Sequence, residues 1–250
     1  MKKRVGIIVG LLVAMVIAGG LGVGFGAYQQ HHRATVRQEQ KVKAAQKAAA
    51  VRKAKRIKAQ RAAALDKKRR AADSVYGTYA KNGLTYAAKK QDEQKKVTFI
   101  GDSVMLGSKP RLQKLFPKAV VDAAVSRQVW DATDLIAKHK ADGTLADTVV
   151  IGLGTNCTFS TTMLAKVMTS LGSRQVYWIN VHVPNDWQDD LNDMLSKATR
   201  KYDNLTIIDW QGLCQDSPQW FGPDKTHPNT VGQPYYAALV AQRVGQNKNQ

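Results

Sequence analysis

Val97-Thr98-Phe99-Ile100-Gly101-Asp102-Ser103-Val104-Met105-Leu106 decides how this 250-residue chain is read. Four residues that favour extended backbone run into Gly-Asp-Ser, and a stretch of helical length, Val104–Phe116, follows. The same alternation recurs toward the C-terminus. VTFI (97–100), AVVD (119–122), TVVIGL (148–153), QVYWINV (175–181) and LTIID (205–209) are rich in Val, Ile and Thr and predict five strands. Between them lie Val129–Lys140, Thr161–Leu171 and Trp187–Tyr202, each of helical length, and Asn229–Val244 closes the chain. Strands alternating with helices over short connections imply an α/β domain, a parallel sheet covered on both faces. Such sheets bind ligands beyond the carboxyl ends of their strands.

Three strand ends and loops carry chemistry. Ser103 opens a helix after the first strand, which puts its hydroxyl at the open edge of the sheet and its N–H toward anything bound there. Read alone, Asp102 and Ser103 are an ordinary helix cap. After the third strand, Gly152-Leu153-Gly154-Thr155-Asn156 lets backbone approach closely and offers an amide donor in Asn156. Ahead of the last helix, Asp224-Lys225-Thr226-His227 sets a carboxylate three residues from an imidazole, the spacing of a general base with its orienter. Each is weak alone. Jointly they supply a nucleophile, an oxyanion donor and a base, all where this architecture builds a site.

These blocks resemble those of the SGNH (GDSL-like) hydrolase and acyltransferase superfamily: Gly-Asp-Ser at 101–103, Gly-Thr-Asn at 154–156, and Asp224 with His227. IGDSVM (100–105), VVDAAVSRQ (120–128), VVIGLGTN (149–156), INVHVP (179–184) and NLTIIDW (204–210) are similar, in that order, to the extracellular C-terminal domain of bacterial peptidoglycan O-acetyltransferases. The resemblance spans about residues 97–240. It implies a three-layer α/β sandwich with a five-stranded parallel sheet. It further implies a catalytic triad of Ser103, His227 and Asp224 and an oxyanion hole built from Ser103, Arg127 and Asn156. Arg127 stands where the wider superfamily has glycine, and a backbone N–H survives that exchange. The implied reaction carries an acetyl group through acetyl-Ser103 to the C6 hydroxyl of muramic acid in cell-wall glycan. Water in place of the sugar hydroxyl would make the same site an esterase, and a non-catalytic wall-binding protein is the third reading. Relatives of this kind often carry a polytopic membrane domain, so the acetyl donor here would come from a separate polytopic acyltransferase or already lie outside.

Charge separates the rest of the chain from this domain. Residues 1–96 hold 23 Lys and Arg against 5 Asp and Glu, whereas residues 97–250 hold 15 against 14. The net +19 therefore describes an N-terminal appendage and excludes a basic globular nucleic-acid domain. After a short cytoplasmic tail (1–4), the uncharged run Val5–Gly26 is long enough for one membrane helix, set at 5–27 as a signal anchor, with Gly24 and Ala27 offering a cleavage site as the alternative. Long domains translocate largely regardless of charge, so the expected topology is a single-pass membrane protein with its domain extracellular and no nucleic-acid partner. Residues 28–96, rich in Ala, Gln, Lys and Arg, predict a solvated helical stalk that ends near Gly77 and Gly83 and whose cations could bind anionic lipid or wall polymer. The catalytic domain then runs over 97–245, followed by a tail, 246–250.

Other residues near the strand ends could contact substrate. Gly154, His182 and Trp187 are the candidates beside the pocket, and Trp220 and Phe221 would stack on a sugar ring unless they are core. Cys157 and Cys214 sit too far apart on the expected sheet to bridge. No His, Cys or carboxylate cluster has metal-ligand spacing, so neither metal nor cofactor is expected.

Overall fold

The structure, a computed structural model, describes residues 2–246; for residues 2–28 and for Ala34 it describes the backbone alone. Two compact units divide the chain, Met1–Leu65 and Asp66–Gln250. The first consists of α1 (Lys2–Ala72), which continues into the start of the second. From Gln29 to Leu65 its described side chains are exposed, as a segment of helix formers with no apolar face requires. The expected membrane span, 5–27, lies outside the residues whose side chains are described. Among the described residues no helix is long and apolar enough to cross a membrane.

The second unit holds five parallel strands: β1 (Val97–Gly101), β2 (Val120–Ala123), β3 (Thr148–Gly152), β4 (Gln175–Ile179) and β5 (Leu205–Ile208). Their spatial order is β2-β1-β3-β4-β5. From β1 the chain steps outward to β2, then returns past β1 to β3, so the order reverses between β1 and β3. That is the switch point at which doubly wound sheets bind ligands. Side chains alternate across the pleat. Val97, Phe99, Val150 and Tyr177 face one apolar cluster with α4 (Ser103–Leu115), α8 (Trp210–Cys214) and α9 (Gly232–Gly245). Ile100, Val149, Ile151 and Trp178 face a second cluster with α5 (Ala132–Ala141), α6 (Thr161–Leu171) and α7 (Gln188–Ala198). Both faces are buried, which accounts for strands that read as continuous apolar runs. This is the expected three-layer α/β arrangement.

Several boundaries differ from the sequence reading by a few residues, and two of the differences have a clear physical reason. The final helix starts at Gly232 rather than Asn229, because the Asn229 side chain accepts the amides of Val231 (2.8 Å) and Gly232 (3.1 Å) and so holds a turn ahead of the helix. The second difference is larger. Residues 66–96, grouped by composition with the stalk, pack on the domain. α1 stops at Ala72 because Asp73 caps α2 (Ser74–Tyr79), accepting the Tyr76 amide at 2.9 Å. Gly83, at a φ of +97°, then turns the chain into α3 (Tyr86–Asp92), which lies against α9. Tyr79, Leu84 and Ala88 are buried in the first apolar cluster, and Gly245 meets Ala88 so closely that a Cβ there would stand 2.7 Å from its backbone. Lys89, nearly inaccessible, is neutralised by Asp73 and by Glu93 at 2.5 Å. A chain begun at residue 97 lacks these groups. It is expected to be less stable than one begun at residue 66 by several kcal/mol, on the order of 1.5–3 for each large apolar side chain lost. Urea denaturation of the two chains measures the difference, and equal midpoints would contradict the packing.

Candidate active site

Ser103 is the first residue of α4, placed there because Asp102 caps the helix and accepts the Val104 amide at 3.0 Å. Its N–H belongs to a first turn, where amides have no intrahelical acceptor. Its hydroxyl oxygen lies 2.8 Å from His227 Nε2. On the far side of the ring, His227 Nδ1 lies 2.8 Å from Asp224 Oδ2. The other carboxylate oxygen, Oδ1, accepts the backbone amides of Thr226 (2.9 Å) and His227 (3.0 Å). This tight turn needs Lys225 in the left-handed region, at a φ of +56°. The loop is closed at its base by the Gly222 amide donating to the His227 carbonyl at 3.0 Å.

Those amides hold the Asp224 carboxyl ionised. The His227 amide contributes most, then that of Thr226, and they bring its pKa down to about 2 although it is half exposed. An ionised carboxylate only accepts, so Nδ1 of a neutral His227 carries the proton and Nε2 is left to accept from the Ser103 hydroxyl. The arrangement can therefore draw a proton from Ser103.

Asn156 follows β3 and Arg127 follows β2. Asn156 Nδ2 donates to the Arg127 carbonyl at 3.1 Å, which leaves its second N–H available. The Arg127 guanidinium turns away from the site. It donates to the Gly101 carbonyl (3.2 Å), to the Asp122 carbonyl (2.6 Å) and to Asp122 Oδ1 (2.7 Å). Buried His139 approaches the other Asp122 oxygen at 3.0 Å. Burial opposes ionisation of Asp122, but the Arg127 hydrogen bond and charge, with His139, outweigh it and lower its pKa. Ser126, at a φ of +58°, bends the chain just before Arg127. Arg127 thus offers this site its backbone, while its side chain braces the loop.

The remaining candidates separate. Gly154 is buried with a φ of +124°, which turns the chain, and a Cβ would lie 3.2–3.3 Å from Val181, Leu191 and Phe159. His182 lines a small cleft, about 10 Å³, together with Asp102, Thr155 and Thr226. Its ring lies 4.6 Å from that of Phe221, and burial lowers its pKa. Trp187 is half-buried and packs on the second apolar cluster. Trp220 and Phe221 are core, with Trp220 stacked on Tyr235 at 3.9 Å. Cys157 and Cys214 are both free.

Two residues escaped the sequence reading. Trp130 is 49% exposed although its neighbours Val129 and Ala132 are buried, and its turn is fixed by Gln128 and Asp131, whose side chain accepts the Gln128 amide at 2.8 Å. A lone Trp at the head of an amphipathic helix gives no signal of which way it faces. Thr155 hides in a Gly-rich turn, yet its hydroxyl donates to Asp102 Oδ2 at 2.6 Å.

The Asp224 turn is testable by pH. A lowered folded pKa means that the carboxylate's contribution is complete above about pH 4, the ordinary range. It is lost as pH falls through about 2. The amide resonances of Thr226 and His227 should titrate with a midpoint near 2. A midpoint near the ordinary aspartate value, about 3.9, would show that the turn does not hold the carboxylate.

No protein-family model matches the chain. The peptidoglycan O-acetyltransferase OatA of Listeria monocytogenes is 32% identical over 141 residues, which is 56% of this chain and 22% of that protein. The O-acetyltransferase OatA of Staphylococcus aureus is 28% identical over 161 residues, 64% of this chain and 27% of that protein. The chain therefore spans about a quarter of the length of the curated relatives it matches. Among solved structures, the C-terminal catalytic domain of Streptococcus pneumoniae peptidoglycan O-acetyltransferase A, determined with a methylsulfonyl adduct, superposes with a TM-score of 0.54 at 22% identity. That match covers 59% of this chain and 90% of that domain. The chain is thus a relative of the peptidoglycan O-acetyltransferases over its α/β domain, sharing sequence with those enzymes and its fold with the C-terminal catalytic domain of one of them.

Proposed function

We propose that the chain is a serine acyltransferase that O-acetylates cell-wall glycan at the C6 hydroxyl of muramic acid. One observation carries the reading: an unbroken line of contacts from Ser103 Oγ through the His227 ring to Asp224, 2.8 Å at each step, at the switch point of the sheet.

In this mechanism Ser103 Oγ attacks the carbonyl carbon of an acetyl ester as its proton passes to His227 Nε2. Asp224 holds the ring in the tautomer that accepts that proton and stabilises the imidazolium. The carbonyl oxygen becomes an oxyanion, met by the N–H groups of Ser103 and Arg127 and by the second N–H of Asn156; losing one such donor costs about 3–4 kcal/mol. The tetrahedral intermediate collapses, the bond to the leaving oxygen breaks, and that oxygen takes the proton from His227. Acetyl-Ser103 remains. An acceptor hydroxyl then attacks, gives its proton to His227 and leaves as the acetyl ester, and the proton returns to Ser103.

The site is open, with the His227 side chain 47% exposed, so water can compete with the sugar hydroxyl. That exposure favours hydrolysis as a second outcome whenever the acceptor is absent, and makes an acetylesterase the alternative reading. The small cleft lined by Asp102, Thr155, His182 and Thr226 has room for about one water molecule, so the glycan would lie across the open surface. Trp130, rigidly mounted three residues from Arg127, offers a face for a sugar ring there. His182 and Trp187 remain further candidate contacts. Residues 5–27 would anchor the chain with its domain outside, residues 28–65 would carry cations to anionic lipid or wall polymer, and a separate polytopic acyltransferase would deliver the acetyl group.

Single-turnover partitioning tests the reading. Acetyl-Ser103 formed on the full chain should pass mostly to added muropeptide oligomers, and Ser103→Ala should form no acetyl-enzyme. Free acetate as the main product at saturating glycan would make the protein an esterase instead. Trp130→Ala should raise KM for the oligomers roughly three- to tenfold, the 0.5–1.5 kcal/mol of a well-placed aromatic contact. Hydrolysis of a small acetyl ester should be unaffected by it.

A further inference from the structure

Asp102 is 1% exposed, and its two carboxylate oxygens do different things. Oδ1 accepts the Val104 amide at 3.0 Å, the ordinary work of a helix cap. Oδ2 leaves the helix altogether. It accepts the Thr155 hydroxyl at 2.6 Å and, more loosely, the Thr155 amide at 3.4 Å, on the loop after β3. Capping accounts for the first oxygen and says nothing of the second. Beneath this contact the Asp102 amide donates to the Gly152 carbonyl at 3.0 Å, so backbone and side chain join the two loops at successive levels.

The neighbours of this pair matter. Ser103 follows Asp102, and Asn156 follows Thr155. Asn156 is held on its other side through its side chain, by the Arg127 carbonyl at 3.1 Å. After Gly154, at a φ of +124°, the Thr155 hydroxyl makes the shorter of the two hydrogen bonds, with its own amide's, that tie its loop to the Asp102 carboxylate. Burial also pushes the Asp102 carboxyl above its usual pKa, with the Thr155 hydroxyl opposing the shift most strongly.

We propose that the Asp102 carboxylate and the Thr155 hydroxyl form a clasp that sets Asn156 at a fixed distance from Ser103, which makes Thr155 a positioning residue for the oxyanion donor. The proposal rests on the acyl-transfer reading of the site. Nucleophile and oxyanion donor must both reach one carbonyl group, and they sit on different loops. Small displacements between such groups are costly in rate while leaving ground-state binding nearly intact.

The test uses the full chain in detergent with p-nitrophenyl acetate as the probe, and labelling of Ser103 by phenylmethylsulfonyl fluoride as a control. Thr155→Val removes the hydroxyl and keeps the shape. It is expected to lower kcat roughly 10- to 100-fold with KM within about twofold, less than the full loss of an oxyanion donor. Thr155→Ser, which keeps the hydroxyl, should restore kcat to within about threefold of the parent. In an Asn156→Ala background, Thr155→Val should cost nothing more, because the group it positions is gone. Wild-type kcat for Thr155→Val, failure of serine to restore it, or a full additional loss in the Asn156→Ala background would each overturn the clasp. Should the valine variant fail to fold, Thr155→Ala is carried through the same comparisons. A parent chain that neither hydrolyses the ester nor is labelled at Ser103 would overturn the acyl-transfer reading itself. An active parent with an indifferent Thr155 would overturn the clasp alone.

Discussion

The pairing of β1 with β3 governs everything at the site. These strands are distant in sequence, yet their parallel register sets Gly101 opposite Gly152, so the two chains leave the sheet side by side. A one-residue slip would turn every side chain on β1 to the other face and carry Ser103 out of reach. That register is enforced from within the layers: Phe99 and Val150 must meet one apolar cluster while Ile100 and Ile151 meet the other. Core packing and site geometry are therefore one constraint. Glycine at both exits serves it, since a Cβ on Gly101 or Gly152 would run into Met105.

From that seam the site is assembled by short reaches. Ser103 sits one residue into a helix and Asn156 four residues past a strand, and neither depends on a long ordered loop. The base arrives from the far end of the chain, yet its loop is braced at its foot by the Phe221–Pro228 bridge and by the Asn229 side chain, which donates to the Gln219 and Phe221 carbonyls at 2.9 and 3.0 Å. The resulting surface is open, with the side chains of His227 and Asp224 about half exposed. On the proposed acyl-transfer reading, that openness would suit a polymeric acceptor and expose the acyl-enzyme to water.

Much of this was legible in residue order. The five strands follow from β-branched runs, and their alternation with helices implies the parallel sheet, because both depend on local preference and periodicity. Ser103, Asn156, Asp224 and His227 could be singled out because each lies beside a strand end or a helix start. What sequence hides is which way a side chain turns. Arg127 is marked in the sequence for its backbone N–H alone, and only the folded chain has its guanidinium donating to the Asp122 carboxylate. Composition misled over residues 66–96 for a related reason. Four apolar residues, Tyr76, Tyr79, Leu84 and Ala88, dock the segment, but they are diluted by lysines and arginines, most of which face solvent. Trp130 and Trp178 look alike in sequence; one is half exposed and the other wholly buried.

The Asp224–His227 turn has one more consequence. Carboxylate and imidazole are joined through the same four residues, and the backbone amides that fix one also fix the other. The two groups thus travel as a single rigid piece. Any movement of this loop would alter the gap to the serine while leaving the ring's alignment and proton inventory intact, so the machinery could be uncoupled and recoupled along one coordinate without ever being taken apart.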